Sequence, residues 1–202
     1  MSTKILETPL FYCKSISNFN SLQLKQFMPQ HGTDGLKKYL IKYARKHEEQ
    51  GIERTYIVCD SQTDAMAGWF SLQTSTLPYQ SKKDSFHIPA LELTNFAVDE
   101  RYRINHKEEF KKCSIGMYIY FDFIEPLAYT ISRIAGCQSI YVFALNQKKL
   151  LQYYKDKLGF QEFDKDGDDI IRLPNSKYCE GLVYLYQNLS DNKYGFPKLK
   201  KL

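Results

Sequence analysis

The chain has 202 residues, and its 28 lysine and arginine residues against 23 acidic residues give a net charge of +5 at pH 7. A composition with 43% hydrophobic and 15% aromatic residues excludes a disordered chain, and the near balance of charge excludes a disordered polybasic tail. The length predicts one domain over residues 1–202. No apolar stretch approaches the roughly 20 residues of a membrane span, and no signal-peptide pattern opens the sequence.

The five cysteines and four histidines are scattered along the chain. No CxxC pair is present, which favours reduced thiols in a cytoplasmic protein over a disulfide framework or a zinc site. The sequence also lacks the HExxH, GxSxG and GxxxxGKS/T motifs. The acidic run at residues 164–169 (DKDGDD) is typical of a turn, because its glycine is fourth and not sixth as in a calcium loop. We therefore expect no metal site.

The first half of the chain predicts helices followed by a β-hairpin and a third strand. Residues 20–50 show helical spacing of apolar residues, and Gly51 supplies a stop. The β-rich runs at residues 55–59 and 66–76 are separated by polar residues, which predicts a hairpin. Residues 90–98 (ALELTNFAV) predict a further strand, whereas the charged residues 99–113 contain no clear periodic element.

The second half predicts a long helix, a buried strand and a shorter helix. Helical spacing runs from Ser114 to Gly136, and Pro126 predicts a kink or break within it. Residues 139–145 (SIYVFAL) are suited to a strand that is buried on both faces. A short helix is predicted at residues 147–157. Further strands are predicted at residues 160–163, 170–173 and 182–187. This order of elements predicts an α/β fold with a mixed sheet.

The strand, loop and helix between residues 91 and 124 carry the clearest chemical signal. A glycine in the first turn of a helix lets a ligand approach backbone N–H groups, and these groups and the helix dipole suit a phosphate. Gly116 stands at such a position, with Lys111 and Lys112 shortly before it. A capped helix preceded by a solvated basic loop is the alternative interpretation.

In its order of elements and motifs, the chain resembles the GNAT superfamily of acyl-CoA N-acyltransferases from about residue 19 to residue 163. The likeness rests on three segments. Residues 91–99 (LELTNFAVD) resemble the family's fourth strand and the start of its core motif. Ser114-Ile-Gly116 resembles the end of the family's Q/R-x-x-G-x-G/A pyrophosphate loop, with Lys111 in the leading position, and Asn146, Tyr154 and Gly159-Phe160 resemble its N…FY…GF ending. The resemblance implies the GNAT fold, in which helices flank a central mixed, mostly antiparallel sheet. It also implies acetyl-CoA as co-substrate.

The N-terminal half is similar to the subgroup that includes the acetylating toxins of bacterial toxin–antitoxin pairs. The similar segments are residues 18–40, 51–60 (GIERTYIVCD) and 67–72 (AGWFSL). This similarity implies an N-acetyltransferase that acts on a primary amine, with the α-amine of an aminoacyl-tRNA as acceptor in the toxins. A small antitoxin protein and a second copy of the chain are the partners it suggests. Acetylation of a small-molecule or protein amine, and a catalytically silent GNAT-like binding module, stay open as alternatives.

The same resemblance implies which residues hold the cofactor. The backbone of Phe96, Ala97 and Val98 would contact the pantetheine arm. The pyrophosphate would lie on the loop formed by Lys111, Lys112, Cys113, Ser114, Ile115, Gly116 and Met117. Asn146 would contact the cofactor or hold the chain where two strands part, and its alternative role is a helix N-cap.

Two side chains are candidates for proton transfer. A tyrosine stays protonated at neutral pH, so Tyr154 can protonate the leaving thiolate. Tyr153 is the alternative, because Tyr154 lies one residue farther from Gly159 than in the common spacing. Glu92 lies six residues before Val98, as the base does in some histone-type members, and its alternative is a solvated or ion-paired strand carboxylate.

Two further departures from the family pattern accompany the resemblance. Residues 102–110 are expected to be a loop insertion, and Lys112 and Ser114 stand where glycines are usual. A serine at a position that required a positive φ would be strained. Basic residues on helix 37–46, near the loop and in the tail 190–202 are the candidate contacts for an RNA backbone.

Overall fold

The computed structural model describes residues 4–80, 85–162, 170–171 and 181–189. These residues form two compact units. The first contains the described residues up to Thr74 together with Glu92–Leu127, and the second contains Ser75–Leu91 and the described residues from Ala128 onwards. The predicted turn at 164–169, the ends of two predicted strands (163 and 172–173) and the tail 190–202 lie outside the described residues.

Five strands build the sheet of the first unit, and they pair in chain order. They are β1 (Leu6–Glu7), β2 (Phe11–Ser15), β3 (Arg54–Asp60), β4 (Met66–Gln80) and β5 (Ser85–Val98), of which β4 and β5 continue into the second unit. The pairs β1–β2, β2–β3 and β3–β4 are antiparallel. The predicted hairpin and third strand are therefore confirmed, whereas the sequence analysis missed β1 and β2.

Three helices pack on one face of this sheet: α1 (Ser21–Lys25), α2 (Asp34–Lys42) and α3 (Ala44–Glu49). Helix α1 begins with a capping box, in which the side chains of Asn20 and Gln23 each accept the backbone N–H of the other. Gly51 follows α3 with a φ of +70°, which confirms it as the stop. Leu40, Ala44 and Phe27 of this layer are fully buried in a core around Trp69.

The charged segment after β5 contains a helix that the sequence analysis missed. Helix α4 (Glu100–Asn105) begins at Asp99, whose carboxylate accepts the backbone N–H of Tyr102 at 2.9 Å. The other Asp99 oxygen accepts the backbone N–H of Met28 at 2.8 Å, so the cap also holds the chain after α1. Only Tyr102 of α4 is buried, and one buried residue gives no periodic pattern.

The long helical segment begins at Ser114 as predicted. It comprises α5 (Ile115–Ile119), a π turn (Tyr120–Ile124) and α6 (Glu125–Ala135), and Gly136 ends it with a φ of +73°. In the π turn the N–H of Glu125 bonds to the carbonyl of Tyr120. Pro126 has no backbone N–H to donate, and its ring crowds the preceding turn. The kink or break that the sequence predicts near Pro126 therefore takes the form of a π turn.

The second unit contains the described remainder of the sheet and helix α7. Strand β6 (Ser139–Leu145) neighbours β5 and pairs antiparallel with β9 (Leu182–Asn188) along its whole length. The short strand β7 (Gln161–Glu162) pairs with β9, and β8 (Ile170–Ile171) pairs with the end of β4. Tyr141, Tyr184 and Ala90 form a small core here. Helix α7 (Lys148–Gln152) continues as a π turn (Tyr153–Lys157).

Among the helices that the structure describes, none combines the length and hydrophobicity that a membrane crossing requires.

Candidate active site

The end of β5, predicted to hold the pantetheine arm, lies tightly against its neighbours. Ala97 is buried, and Phe96 and Val98 are half-buried. A Cβ placed on Gly68 of β4 would stand 2.5 Å from the carbonyl oxygen of Ala97 and 2.6 Å from Cδ1 of Ile119. The backbone of β5 and helix α5 therefore approach β4 so closely that only glycine fits at position 68.

Sequence reasoning missed Gly68, although a signal was available. A glycine inside a strand pattern marks a close approach of backbone or ligand, and Gly68 interrupts the apolar run of β4. Its role is to let the end of β5 and helix α5 pack on β4. Because the crowded atoms include a backbone carbonyl, a side chain here would displace the end of β5.

The predicted pyrophosphate loop leads into α5 without backbone strain. Ser114 has a φ of −68° and a ψ of 152°, so its Cβ is accommodated and the serine serves as N-cap. Its hydroxyl accepts the backbone N–H of Met117 at 3.3 Å. Ile115 and Gly116 are buried in the first turn, and Met117 is half-buried.

The lysines before this turn are exposed. Lys111 forms an ion pair with Glu108, whereas Cys113 is half-buried. Burial raises the pKa of the Cys113 thiol, and the charge of Asp122 raises it further. A thiol with a raised pKa is a poor nucleophile at neutral pH, so the loop offers backbone N–H groups and positive charge but no nucleophile.

Residues 102–110, the predicted insertion, are fastened to the sheet by aromatic contacts. The ring of Phe110 stacks on Phe11 of β2 at a centroid distance of 5.9 Å and meets Tyr118 of α5 edge-on at 5.4 Å. The hydroxyl of Tyr102 donates to a carboxylate oxygen of Asp60 at 2.5 Å. The segment thus connects the start of α5 to the strands.

Asp60 is stabilised as an anion by these contacts. Burial alone would raise its pKa, but hydrogen bonds from the Tyr102 hydroxyl and from the backbone N–H groups of Thr63 and Gln62 lower it. Burial and the bond to Asp60 raise the pKa of Tyr102. The pair therefore favours a charged carboxylate and a neutral phenol.

Glu92 is not a solvated carboxylate, since only 7% of it is exposed. Two residues later on β5, the hydroxyl of Thr94 donates to Glu53 at 2.6 Å. Glu53 precedes β3 and is equally buried. Sequence reasoning missed Glu53, because no periodic pattern marks a glutamate as buried.

Tyr154 and Tyr153 lie in the π turn that follows α7. Tyr154 is 7% exposed and packs edge-on against Phe160 at 5.4 Å, whereas Tyr153 is half-buried. Burial raises the pKa of Tyr154, and Tyr153 adds to the effect. A π turn accommodates one residue more than an α turn, which accounts for the longer interval between Tyr154 and Gly159.

Asn146 does not cap helix α7. The N-cap position is occupied by Gln147, whose side chain makes no capping bond, so the N-cap interpretation of Asn146 is wrong. Asn146 is exposed, and its backbone N–H donates to the carbonyl of Gly181 at 2.9 Å. Within the described ranges, no group of three or more His, Cys, Asp or Glu side chains is placed to hold a metal ion.

No protein-family model matches the sequence, and no curated protein sequence matches it. The structure has the GNAT fold, and the solved structures that share it include toxins. One is a variant of the toxin AtaT bound to the C-terminus of the antitoxin AtaR and acetyl-CoA. It is 16% identical to this chain, with a TM-score of 0.60 over 89% of this chain and 94% of that one.

Two further structures show the same likeness. A variant of KacT is 17% identical, with a TM-score of 0.60 over 90% of this chain and 96% of that one. AtaT complexed with acetyl-methionyl-tRNAfMet is 17% identical, with a TM-score of 0.56 over 80% of this chain and 94% of that one. The predicted fold is therefore confirmed over most of the chain.

Proposed function

We propose that this protein is an N-acetyltransferase that uses acetyl-CoA to acetylate a primary amine. The observation that carries the proposal is the run of β5, capped loop and α5 on a fold shared with AtaT, which has been solved bound to acetyl-CoA. The half-buried end of β5 and the first turn of α5 with Gly116 suit an extended arm that ends in a diphosphate. Bound acetyl-CoA would supply the thioester whose acetyl group is transferred.

In this proposal some residues contact the cofactor through backbone groups and others through their side chains. Phe96, Ala97 and Val98 hold the pantetheine arm through their backbone. Residues 111–117 bind the pyrophosphate, with N–H groups giving direction and exposed lysines adding charge. Asn146 is retained as a candidate cofactor contact.

Tyr154 holds the proton that the departing thiolate needs. Its burial disfavours the phenolate, so the residue stays protonated over the working pH range and can act as general acid. The π turn explains its spacing, which favours Tyr154 over Tyr153 for this role. Glu92 is the proposed base for the acceptor amine.

We further infer that the acceptor is the α-amine of an aminoacyl-tRNA. AtaT has been solved with acetyl-methionyl-tRNAfMet, and here Lys38, Lys42 and Lys46 recur every fourth residue as exposed cations. Such cations can contact an RNA backbone. The same proposal places the reaction in the cytoplasm, where charged tRNA is used, and gives the protein a small antitoxin partner like AtaR.

Transfer of labelled acetyl groups tests this function directly. We expect the purified protein to bind acetyl-CoA in calorimetry and to label aminoacyl-tRNA but not the same tRNA without its amino acid. Because phosphate contacts weaken with salt, labelling should fall steeply between about 50 and 200 mM salt. If only small amines or protein amines are labelled, the result would favour the alternative function, acetylation of a small-molecule or protein amine.

Two observations on the loop favour a silent binding module as the second candidate. The Ser114 hydroxyl already occupies the N–H of Met117, and Lys111 is paired with Glu108. Both groups are among those that a pyrophosphate would use. Absence of acetyl-CoA binding in calorimetry would exclude both acetyltransferase hypotheses and leave this candidate.

A further inference from the structure

Two buried glutamates lie on one side of the first unit's sheet. Glu53 is 5% exposed and Glu92 is 7% exposed. Thr94, whose hydroxyl donates to Oε2 of Glu53 at 2.6 Å, lies two residues after Glu92 on β5. Because alternate residues of a strand face the same side, Glu92 and Thr94 share a face, and Thr94 brings Glu53 to that face.

One oxygen of this pair is buried without a hydrogen bond. Oε1 of Glu53 is shielded from solvent and has no hydrogen-bond partner among the described residues. Nδ1 of His47 lies 3.6 Å from it, which is within ion-pair range but beyond a hydrogen bond. Since a buried carboxylate oxygen without a partner is costly, the structure keeps an acceptor position for a proton or a cationic group.

The two carboxyl groups influence each other electrostatically. Burial raises the pKa of Glu53, the Thr94 hydroxyl lowers it, and the charge of Glu92 raises it. Two carboxyl groups that interact in a poorly solvated place titrate as a unit, because the second charge is harder to form than the first. Other titratable or charged groups close to Glu53 include Tyr39 of α2, which is hydrogen-bonded to His47, and Glu48 of α3. Glu48 accepts the backbone N–H of Thr55 at 3.1 Å, and its carbonyl accepts a hydrogen bond from Arg54.

His47 connects this pair to the solvent. Its side chain is 31% exposed, so the imidazole lies between the buried Glu53 and water. The Tyr39 hydroxyl and Nδ1 of His47 share a hydrogen bond of 2.8 Å, which fixes the orientation of the ring. A proton can therefore leave the pair through His47 without crossing the sheet.

We propose that Glu53 and Glu92 act together as the proton acceptor of the acyl-transfer reaction, with His47 as the outlet to water. This inference rests on the proposed acetyltransferase function. The N–H bond of the acceptor ammonium breaks, and its proton joins the carboxyl pair and leaves through the imidazole. The freed nitrogen lone pair forms the N–C bond as the C–S bond breaks, and the thiolate takes the proton of Tyr154. The acylated nitrogen then loses its second proton, which returns the phenolate of Tyr154 to a neutral phenol.

The first test compares pH profiles of kcat/KM for Glu53→Gln, Glu92→Gln and the double variant. An amine is mostly protonated below its own pKa and needs a base there, whereas it is already neutral well above that pKa. We expect each single variant to lose about 10- to 100-fold near pH 6.5 and less than about 3-fold near pH 9. The double variant should lose little more than the worse single one, because the two groups act as a unit.

Glu49→Gln is the matched control, because it removes an exposed carboxylate next to the same part of α3. It should leave the profile unchanged. A Glu53→Gln variant that melts like the wild type and keeps the wild-type profile would overturn the inference. Equal losses at all pH values would also overturn it, since they would indicate a purely structural role.

The second test needs no catalysis. Carbon-13 NMR of labelled glutamate carboxyls in the free protein should show one that titrates above the ordinary range, and Glu92→Gln should move the Glu53 titration to lower pH. An unmoved titration contradicts the pair even if acetyl transfer is observed. Coupled titration without any acetyl transfer would instead support the pair and refute the proposed function.

Discussion

The start of helix α5 and the π turn after helix α7 each contain residues with a proposed function, and the two regions are built in opposite ways. At the start of α5 the lysines are exposed, Ser114 caps the helix, and the proposed ligand groups are backbone N–H groups. In the π turn the proposed functional group is a side chain, and Tyr154 is buried against Phe160. The first region should therefore tolerate many side-chain changes and the second very few.

The largest effect is expected from Tyr154→Phe. Loss of the phenol proton should lower kcat by roughly 10²–10⁴-fold, while the affinity for acetyl-CoA stays close to that of the wild type. Steady-state kinetics and calorimetry separate the two quantities. Tyr153→Phe is the matched control and should stay within a few fold of the wild-type kcat. If the two variants exchange these results, the acid has been assigned to the wrong tyrosine.

Gly68→Ala tests the end of β5 and the start of α5 by disturbing the close packing on β4 that holds them in place. The added Cβ would meet the Ala97 carbonyl oxygen, and overpacking of this kind costs about 1–3 kcal/mol of unfolding free energy. Because the end of β5 must shift, affinity for acetyl-CoA should fall together with stability. Gly35→Ala, where an added Cβ meets open space within α2, is the control. Denaturant titration of both variants measures the difference, and equal stabilities would contradict the close packing.

Tyr102→Phe tests how firmly residues 102–110 are held. Loss of the hydrogen bond to Asp60 should cost about 1–2 kcal/mol at neutral pH. The folded pKa of Asp60 lies below its ordinary value, so this contribution is present above the unfolded pKa of about 3.9 and is lost as pH falls through the folded value. Urea denaturation at pH 7 and at pH 2.5 should show the two proteins converging in acid. If the difference in unfolding free energy is the same at both pH values, the contribution of the Tyr102 hydroxyl does not depend on the ionisation of Asp60.

The smallest effect is expected from Lys112→Ala in the exposed loop. An exposed cation that assists a diphosphate contributes less than about 1 kcal/mol, so affinity for acetyl-CoA should fall only a few fold and the difference should fade in high salt. Calorimetry at two ionic strengths measures this. A loss of 100-fold or more would show that the site depends on the lysine and not on backbone groups.

The sequence predicts the fold where local patterns and burial agree. The β-rich runs of the β3–β4 hairpin, the continuous apolar run of β6 and the helical spacing from Ser114 to Gly136 each match the element that forms. Strand β1 is only two residues long, and α4 buries a single residue, so neither produces a pattern. The signal for α4 lies in its cap, Asp99, and in nothing that follows it.

The candidate site is only partly predictable for a related reason. The resemblance to the GNAT superfamily implies Tyr154, Gly116 and Glu92, because each of these residues matches a family pattern that lies on a single element. Glu53 acquires its significance from Thr94, 41 residues away in the chain, and Gly68 from Ala97 and Ile119. Contacts of this kind are made by tertiary packing. The sequence shows that Gly68 interrupts a strand, but it does not show which residues approach it.

The π turn at Tyr153–Lys157 also affects how relatives of this protein can be recognised. A helix that widens by one residue keeps its two ends in place while the count between them changes. A pattern search with a fixed tyrosine-to-glycine interval would reject this chain and any homologue built like it. Searches that allow the interval to vary by one residue should recover such chains. The presence or absence of the π turn can then be used to group them.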